Sequence, residues 1–339
     1  MKDSVTLKVN NLKTGFQTEK GLVTAVNGVS FTINPGQTLG LVGESGSGKS
    51  VTAQSILRLL DENQTKYSGE VTFNADNILN FSERQMRKIR GNNISMIFQD
   101  SMSSLNPVYT VGDQIIEVIR LHQKASKKEA YKKAIKILEK TGIPDPEKRM
   151  NAYPHQLSGG LCQRIMIAIA LSCNPDFLIA DEPTTALDVT IQMQILDLME
   201  DLRNEFNMGI LLITHDLGVV AEVCTHVIVM YLGEIVEEGP VEKIFNKPLH
   251  PYTKGLLESI PQIDGDRKQM LPTIKGRVPS LHDVPRGCNF AARCPFSTSK
   301  CETENPVIET EDDSHKVRCF YYKDILEGRI TNDSEQPAR

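Results

Sequence analysis

Short apolar runs broken by Gly, Asn and Pro fill residues 7–43, as in Phe31-Thr32-Ile33-Asn34-Pro35-Gly36. They predict strands joined by turns at the start of the chain. Leu39-Gly40-Leu41-Val42 predicts a short buried strand, and apolar Val51, Ile56, Leu57 and Leu60 fall at helical spacing over 50–60. Strand, glycine-rich loop and helix therefore follow one another. Four more mainly apolar runs, at 94–98, 177–180, 210–213 and 227–230, predict buried strands with helical stretches between several of them. That alternation is the pattern of an α/β sheet. Between 111 and 150 the pattern is helical with Lys124, Lys127, Lys128, Lys132, Lys133, Lys136 and Lys140 on a solvated face, which places a helical subdomain at about 100–170. After residue 250 the chain turns to Pro, Gly, charged residues and clustered Cys, a loop-rich appendage that needs a staple to hold shape.

Length and charge narrow the reading. With roughly 100–200 residues per domain, 339 residues predict a main domain carrying a smaller inserted or appended one. The 38 Lys+Arg against 43 Asp+Glu give a net charge of −5, and so no long-range pull on nucleic acid or anionic lipid. The lysine run is interrupted by Glu129 and Glu139 and has no aromatic stacking platform, so no nucleic-acid partner is expected. The charge-free segment 21–43 is broken by Asn27, Asn34, Pro35 and Gln37 and cannot span a bilayer. Met1-Lys2-Asp3-Ser4 has no apolar signal segment, so a cytosolic address is expected. There, seven cysteines read as metal, redox or small core residues rather than disulfides.

Gly43-Glu44-Ser45-Gly46-Ser47-Gly48-Lys49-Ser50 has the Gly-x₄-Gly-Lys-Ser spacing of a P-loop, between a predicted strand and a predicted helix as that motif requires. Glycines let the backbone wrap phosphate oxygens, so that successive N–H groups and the helix start, through Val51, face negative charge. Lys49 should reach the β- and γ-phosphates of a bound nucleotide, and the Ser50 hydroxyl should ligate Mg²⁺. A plain Gly/Ser turn would need neither. The apolar run at 177–180 ends in Asp181-Glu182-Pro183. A carboxylate pair at the mouth of a buried strand is costly unless used. Asp181 fits the Mg²⁺-coordinating acid and Glu182 the general base that polarises the water attacking the γ-phosphate.

With these motifs stand Leu157-Ser158-Gly159-Gly160-Leu161-Cys162-Gln163-Arg164, Gln99 after the 94–98 run, Ala186-Leu187-Asp188, and His215 after Ile213-Thr214. Over roughly 5–325 the chain resembles the ATP-binding subunits of ABC transporters, with every element in that family's order and spacing. The resemblance implies a P-loop ABC ATPase domain over 1–255, α/β with an antiparallel β subdomain and the helical subdomain. It also implies two such domains sandwiching two ATP molecules. Ser158, Gly159, Gly160 and Gln163 would form the signature that acts on the partner chain's ATP, and Asp188 the D-loop at the dimer. His215 would contact the γ-phosphate, and Gln99 would touch Mg²⁺ and the attacking water. Phe16 is the candidate adenine-stacking aromatic, or else a core residue. Leu161-Cys162 departs from the family's usual Met-Arg pair, but the residues facing phosphate are intact, so a working ATPase is expected.

Cys288, Cys294, Cys301 and Cys319 fall within 32 residues. Soft thiolates so gathered suit Zn²⁺ or an iron–sulfur cluster, and their spacings are not the paired knuckles of zinc ribbons. Pro285-Arg286-Gly287-Cys288-Asn289-Phe290-Ala291-Ala292-Arg293-Cys294-Pro295, with His250-Pro251-Tyr252-Thr253, is similar to the C-terminal extension of oligopeptide and dipeptide importer ATPases. That resemblance implies a Cys-rich extension over 256–325, ahead of a flexible tail at 326–339, holding a [4Fe–4S] cluster on the four cysteines; Zn²⁺ or no metal are the alternatives. His315 reads as a surface residue, and Cys162, Cys173 and Cys224 as small helix or core residues. The implied partners are a second, related ATPase subunit, two transmembrane permease subunits and an extracellular substrate-binding protein, with this chain peripheral on the cytoplasmic side of the cell membrane. The implied activity is ATP hydrolysis driving uptake of oligopeptides or dipeptides. Two alternatives are the same motor importing nickel, a metal chelate, glutathione or an antimicrobial peptide, and a soluble non-transport ABC ATPase acting on nucleic acid or ribosomes. The second alternative usually carries two cassettes or basic insertions, where this chain has one P-loop, one signature and an acidic balance.

Overall fold

The computed structural model describes residues 5–185, 187–260, 273–312 and 314–330. Met1-Lys2-Asp3-Ser4, Ala186 of the expected D-loop, 261–272 of the expected extension and 331–339 of the expected tail lie outside them. Among the described residues the strands are β1 (Leu7–Thr18), β2 (Gly21–Ile33), β3 (Thr38–Val42), β4 (Thr65–Phe73), β5 (Asp76–Asn77), β6 (Ile94–Ile97), β7 (Phe177–Asp181), β8 (Gly209–Ile213), β9 (His226–Tyr231), β10 (Glu234–Pro240), β11 (Glu309–Asp312) and β12 (His315–Val317). They belong to two compact units: the described residues of Met1–Lys8, Thr32–Thr38 and Val71–Ile213, and those of Val9–Phe31, Leu39–Glu70 and Thr214–Arg339.

In the first unit β6, β7 and β8 run parallel, Ile94 beside Phe177 and Phe177 beside Gly209. Every residue of β7 and β8 is buried, which is why both read as continuous apolar runs rather than as alternating ones. Gly209 has to be small, since a Cβ there would lie 2.6 Å from the Phe177 ring. Helices Val111–Gln123, Lys127–Lys140 and Gly159–Leu171 pack on one another. The first starts where the Thr110 hydroxyl accepts from the Asp113 N–H, the second at a Ser126/Glu129 capping box. Lys124, Lys127, Lys128, Lys132, Lys133 and Lys136 are exposed.

The second unit orders its strands β11-β12-β10-β9-β3, with β3 parallel to β9 and the other pairs antiparallel. In it β1 and β2 form a hairpin through Glu19-Lys20, and Asn11 of β1 lies against Gly69 of β4, where a Cβ would sit 2.2 Å from the Asn11 carbonyl oxygen. The helix after β3, Lys49–Ile56, is shorter than its periodicity predicts: Leu57 caps it, and Arg58 follows at φ +49°. The described cysteine-rich residues lie in this same unit, β12 pairing with β10 so that Val317 faces Glu237. That pairing corrects the expectation for His315, which is buried with Nε2 2.8 Å from Glu237 Oε1. Cys162 is buried inside its helix, but Cys173 and Cys224 fall just past helix ends, Cys224 against Gly40. No helix among the described residues is long and apolar enough to cross a membrane.

Candidate functional site

The 43–50 loop is held open by its glycines. Gly43, Gly46 and Gly48 take φ values of +150°, +80° and +101°. A Cβ on Gly43 would lie 2.2 Å from the Met230 carbonyl oxygen, and one on Gly48 2.7 Å from that of Ala25, whereas a Cβ on Gly46 meets nothing within 4 Å. Gly43→Ala is therefore expected to cost about 1–3 kcal/mol and Gly46→Ala only the left-handed penalty of about 1–2, a ranking that denaturant melting of the two variants checks. From the other side the Gly233 N–H donates to the Ser47 carbonyl at 2.9 Å. Lys49, nearly buried, donates to the carbonyls of Gly43 and Glu44 at 2.7 and 3.0 Å, so its ammonium sits within the loop. Ser45 and Gly46 are exposed, and Ser50 and Val51 half-buried at the helix start, where the dipole is positive. Phe16 is half-buried on β1, and His215 is exposed after Thr214 in the same unit.

The first unit gathers the other candidates at the end of β7. Asp181, the last residue of the strand, is buried, and Glu182 follows with φ +48°, a strained backbone of the kind stored at reactive sites. Its N–H donates to the Ile213 carbonyl at 2.9 Å. Its Oε2 accepts from Gln99 Nε2 and from Thr185 Oγ1, both at 2.9 Å. Gln99 thus orients the candidate base directly, a contact the sequence did not reveal. Ser158 caps helix Gly159–Leu171 by accepting from the Leu161 N–H, and the exposed Ser158-Gly159 turn leaves that helix N-terminus facing outward. Gln163 is buried, and its amide donates to the Pro183 carbonyl, tying the signature helix to the loop after Glu182. Asp188 caps helix Val189–Phe206, accepting from the Ile191 N–H at 3.0 Å.

Cys288, Cys294, Cys301 and Cys319 line one pocket of about 340 Å³, mouth included, walled by Pro251, Phe290, Phe296 and Phe320. The Cys288 N–H donates to the Cys301 carbonyl at 2.7 Å. Gly287 makes that approach possible, since a Cβ there would lie 2.2 Å from the same oxygen. Burial pushes the Cys288 thiol up, and burial with the charges of neighbouring cysteines pushes Cys294 and Cys319 up to about 12. Without a cation these sulfurs stay protonated. Among the described residues no group of three or more His, Cys, Asp or Glu is arranged to hold a metal ion as it stands. The sequence also missed the groups that join this region to the 43–50 loop: Tyr252 and Arg293 both reach Glu44. The one signal for Arg293 was a charged residue inside the Cys-flanked string.

Residues 26–185 match the ABC transporter family model, and 236–301 match that of the oligopeptide/dipeptide transporter C-terminal region. The chain is 53% identical over 322 residues to the oligopeptide transport ATP-binding protein AppD of Bacillus subtilis, covering 95% of this chain and 98% of that protein. It is 51% identical over 326 residues to a peptide ABC transporter ATP-binding protein of Sinorhizobium fredii, covering 96% and 97%. Among solved structures it is similar to the dimeric ATP-binding cassette MJ0796 bound to ADP and Pi, at TM-score 0.62 and 29% identity over 69% of this chain and 98% of that one. A second is CbiO1 of Clostridium perfringens, at TM-score 0.60 and 28% identity over 72% and 92%.

Proposed function

Since the chain belongs to the ATP-binding subunits of oligopeptide/dipeptide ABC transporters, we propose specific roles for its residues in the reaction that such a subunit performs. It is the ATPase motor of a peptide importer, hydrolysing ATP to ADP and phosphate to drive uptake. One observation carries the reading: ATPase signatures and a peptide-transporter C-terminal region occur together in a chain that matches peptide-transport relatives along nearly its whole length.

The 43–50 loop and Val51 receive the triphosphate on backbone N–H groups, Lys49 turns its ammonium to the β- and γ-phosphates, and Phe16 stacks on adenine. Ser50, Asp181 and Gln99 carry the hard oxygen donors that Mg²⁺ takes. When bound, the ion neutralises phosphate charge. Glu182, oriented by Gln99 and Thr185, accepts the proton of the attacking water, and His215 steadies the γ-phosphate. The Ser158-Gly159-Gly160 turn, exposed at its first two residues, offers its N–H groups to the nucleotide of a related partner ATPase, with Asp188 at that contact. Two membrane permease subunits and an extracellular substrate-binding protein complete the assembly, with this chain on the cytoplasmic face. The ATPase domain spans 1–255, including a helical subdomain at about 100–170, and the Cys-rich extension spans 256–325. Reconstituted with these partners, ATP turnover is expected to rise when peptide-loaded binding protein is added; turnover indifferent to peptides would remove the peptide cargo and leave the motor.

The four-cysteine pocket fits a [4Fe–4S] cluster. Four soft donors line one apolar pocket, and Gly287 leaves space for the Cys288–Cys301 approach. A bound cluster would staple a loop-rich segment. Chain purified without oxygen is expected to carry iron and acid-labile sulfide with broad visible absorbance, and Cys288→Ser to lose both; an iron-free native chain would refute the assignment.

A further inference from the structure

Glu44 is out of place by charge. A loop whose backbone collects phosphates gains nothing from a carboxylate at its second position, which repels the ligand unless its charge is cancelled. Here Arg293 cancels it. Its Nη1 lies 2.6 Å from Glu44 Oε2 and its Nη2 3.1 Å from Oε1, a forked pair in which the arginine side chain is only 4% exposed. The guanidinium is held on its other edges, Nε donating to the Lys275 carbonyl at 3.0 Å and Cζ lying 5.7 Å from the Tyr231 ring centre. Tyr252 fixes the same residue from a second direction, its Oη accepting the Glu44 N–H at 2.8 Å. Tyr231, Tyr252 and Phe290 pack ring against ring with centroids 4.8–5.4 Å apart, and Phe290 also walls the cysteine pocket.

We propose that Arg293 and Tyr252 are positioning residues of the nucleotide site: they bracket Glu44, cancel its charge and hold the loop in its phosphate-ready shape, which makes the cysteine-rich region part of the ATP-binding apparatus. The proposal rests on reading the 43–50 loop as the ATP cradle. Neither side chain touches phosphate. Both act through Glu44, so they set affinity rather than the chemical step.

The experiment measures equilibrium binding of a fluorescent ATP analogue with Mg²⁺ to the full chain, alongside KM and kcat. Arg293→Ala is expected to weaken binding about ten- to hundredfold, the worth of a hydrogen-bonded charge left unpaired, with KM raised and kcat nearly unchanged. Adding Glu44→Gln to Arg293→Ala should restore affinity, because the repelling charge is gone; a purely architectural arginine would show no such rescue. Arg293→Lys should fall between, keeping charge without the fork. Should Arg293→Ala fail to fold, Tyr252→Phe, which keeps the ring, is expected to weaken binding about fivefold. Lys49→Ala is run in parallel. If it alone loses nucleotide while the Arg293 and Tyr252 variants bind like the native chain, the bracket is refuted and the cradle stands. If Lys49→Ala binds as well as the native chain, the cradle reading itself falls.

Discussion

Glu182→Gln is expected to lower ATP turnover by about 10²–10⁴-fold, the contribution of a positioned general base, while Mg–ATP binding stays nearly native. Glutamine has the shape of glutamate, and its amide oxygen can still accept from Gln99 and Thr185, so the local network and the strained Glu182 backbone survive. What the amide cannot do is take a proton from water. In the proposed role the carboxylate serves the water rather than the nucleotide, so the binding groups are untouched. The ATP-bound form, closed on the partner ATPase, should therefore accumulate. The measurement is single-turnover hydrolysis set beside equilibrium nucleotide binding. Turnover within a few-fold of native would remove Glu182 from the role and shift attention to His215. A parallel loss of binding would mean that the carboxylate supports the site's structure instead.

The motifs proposed to carry this chemistry stood out because each is local. The 43–50 spacing, the apolar run closing on Asp181-Glu182 and the signature before helix Gly159–Leu171 are continuous stretches whose strand or helix context follows from periodicity. The four cysteines were legible as a group from density along the chain alone. Contacts between distant residues were not. Arg293 lies 249 positions from Glu44, and neither residue alone signals a partner. The bond from Gln163 to the Pro183 carbonyl was equally hidden, because the helix around it is apolar on nearly every face, leaving no polar face to show which way a lone glutamine turns. His315 read as a surface residue because His-Lys-Val has no amphipathic pattern long enough to assign a face; pairing of β12 with β10 buries it. The helix 50–60 was drawn too long because apolar spacing continues through Leu57 and Leu60 after the backbone has turned.

Glu237 gives the largest expected stability effect, and it too was invisible in a strand that reads as Glu-Ile-Val-Glu-Glu. Its side chain is fully buried, yet both carboxyl oxygens are engaged: Oε1 accepts from the Leu249 N–H at 2.7 Å and lies 2.8 Å from His315 Nε2, and Oε2 accepts from the His250 N–H at 2.9 Å. One side chain thereby ties β10 to β12 and to the start of helix Pro251–Glu258, where His250, kept neutral by burial with its pKa pushed down to about 3, accepts the Tyr252 N–H through Nδ1. Glu237→Ala strips an acceptor from two backbone N–H groups and a ring nitrogen that water cannot reach, and leaves a cavity beside the Leu249, Val317 and Tyr322 cluster. Breaking a buried, fully hydrogen-bonded network in this way is expected to cost about 3–5 kcal/mol. Glu237→Gln keeps the volume but turns an NH₂ toward one of the donors, so it should fall between native and alanine. Denaturant unfolding gives the loss, and alkylation of Cys294 and Cys319 in metal-free chain followed by mass spectrometry locates it, because release of β12 opens the pocket that those thiols line. An alanine variant as stable as the native chain, with thiols equally shielded, would show that the network is dispensable. The expected result makes Glu237 the residue through which the sheet fixes the register of both the cysteine-bearing segment and the Tyr252 helix.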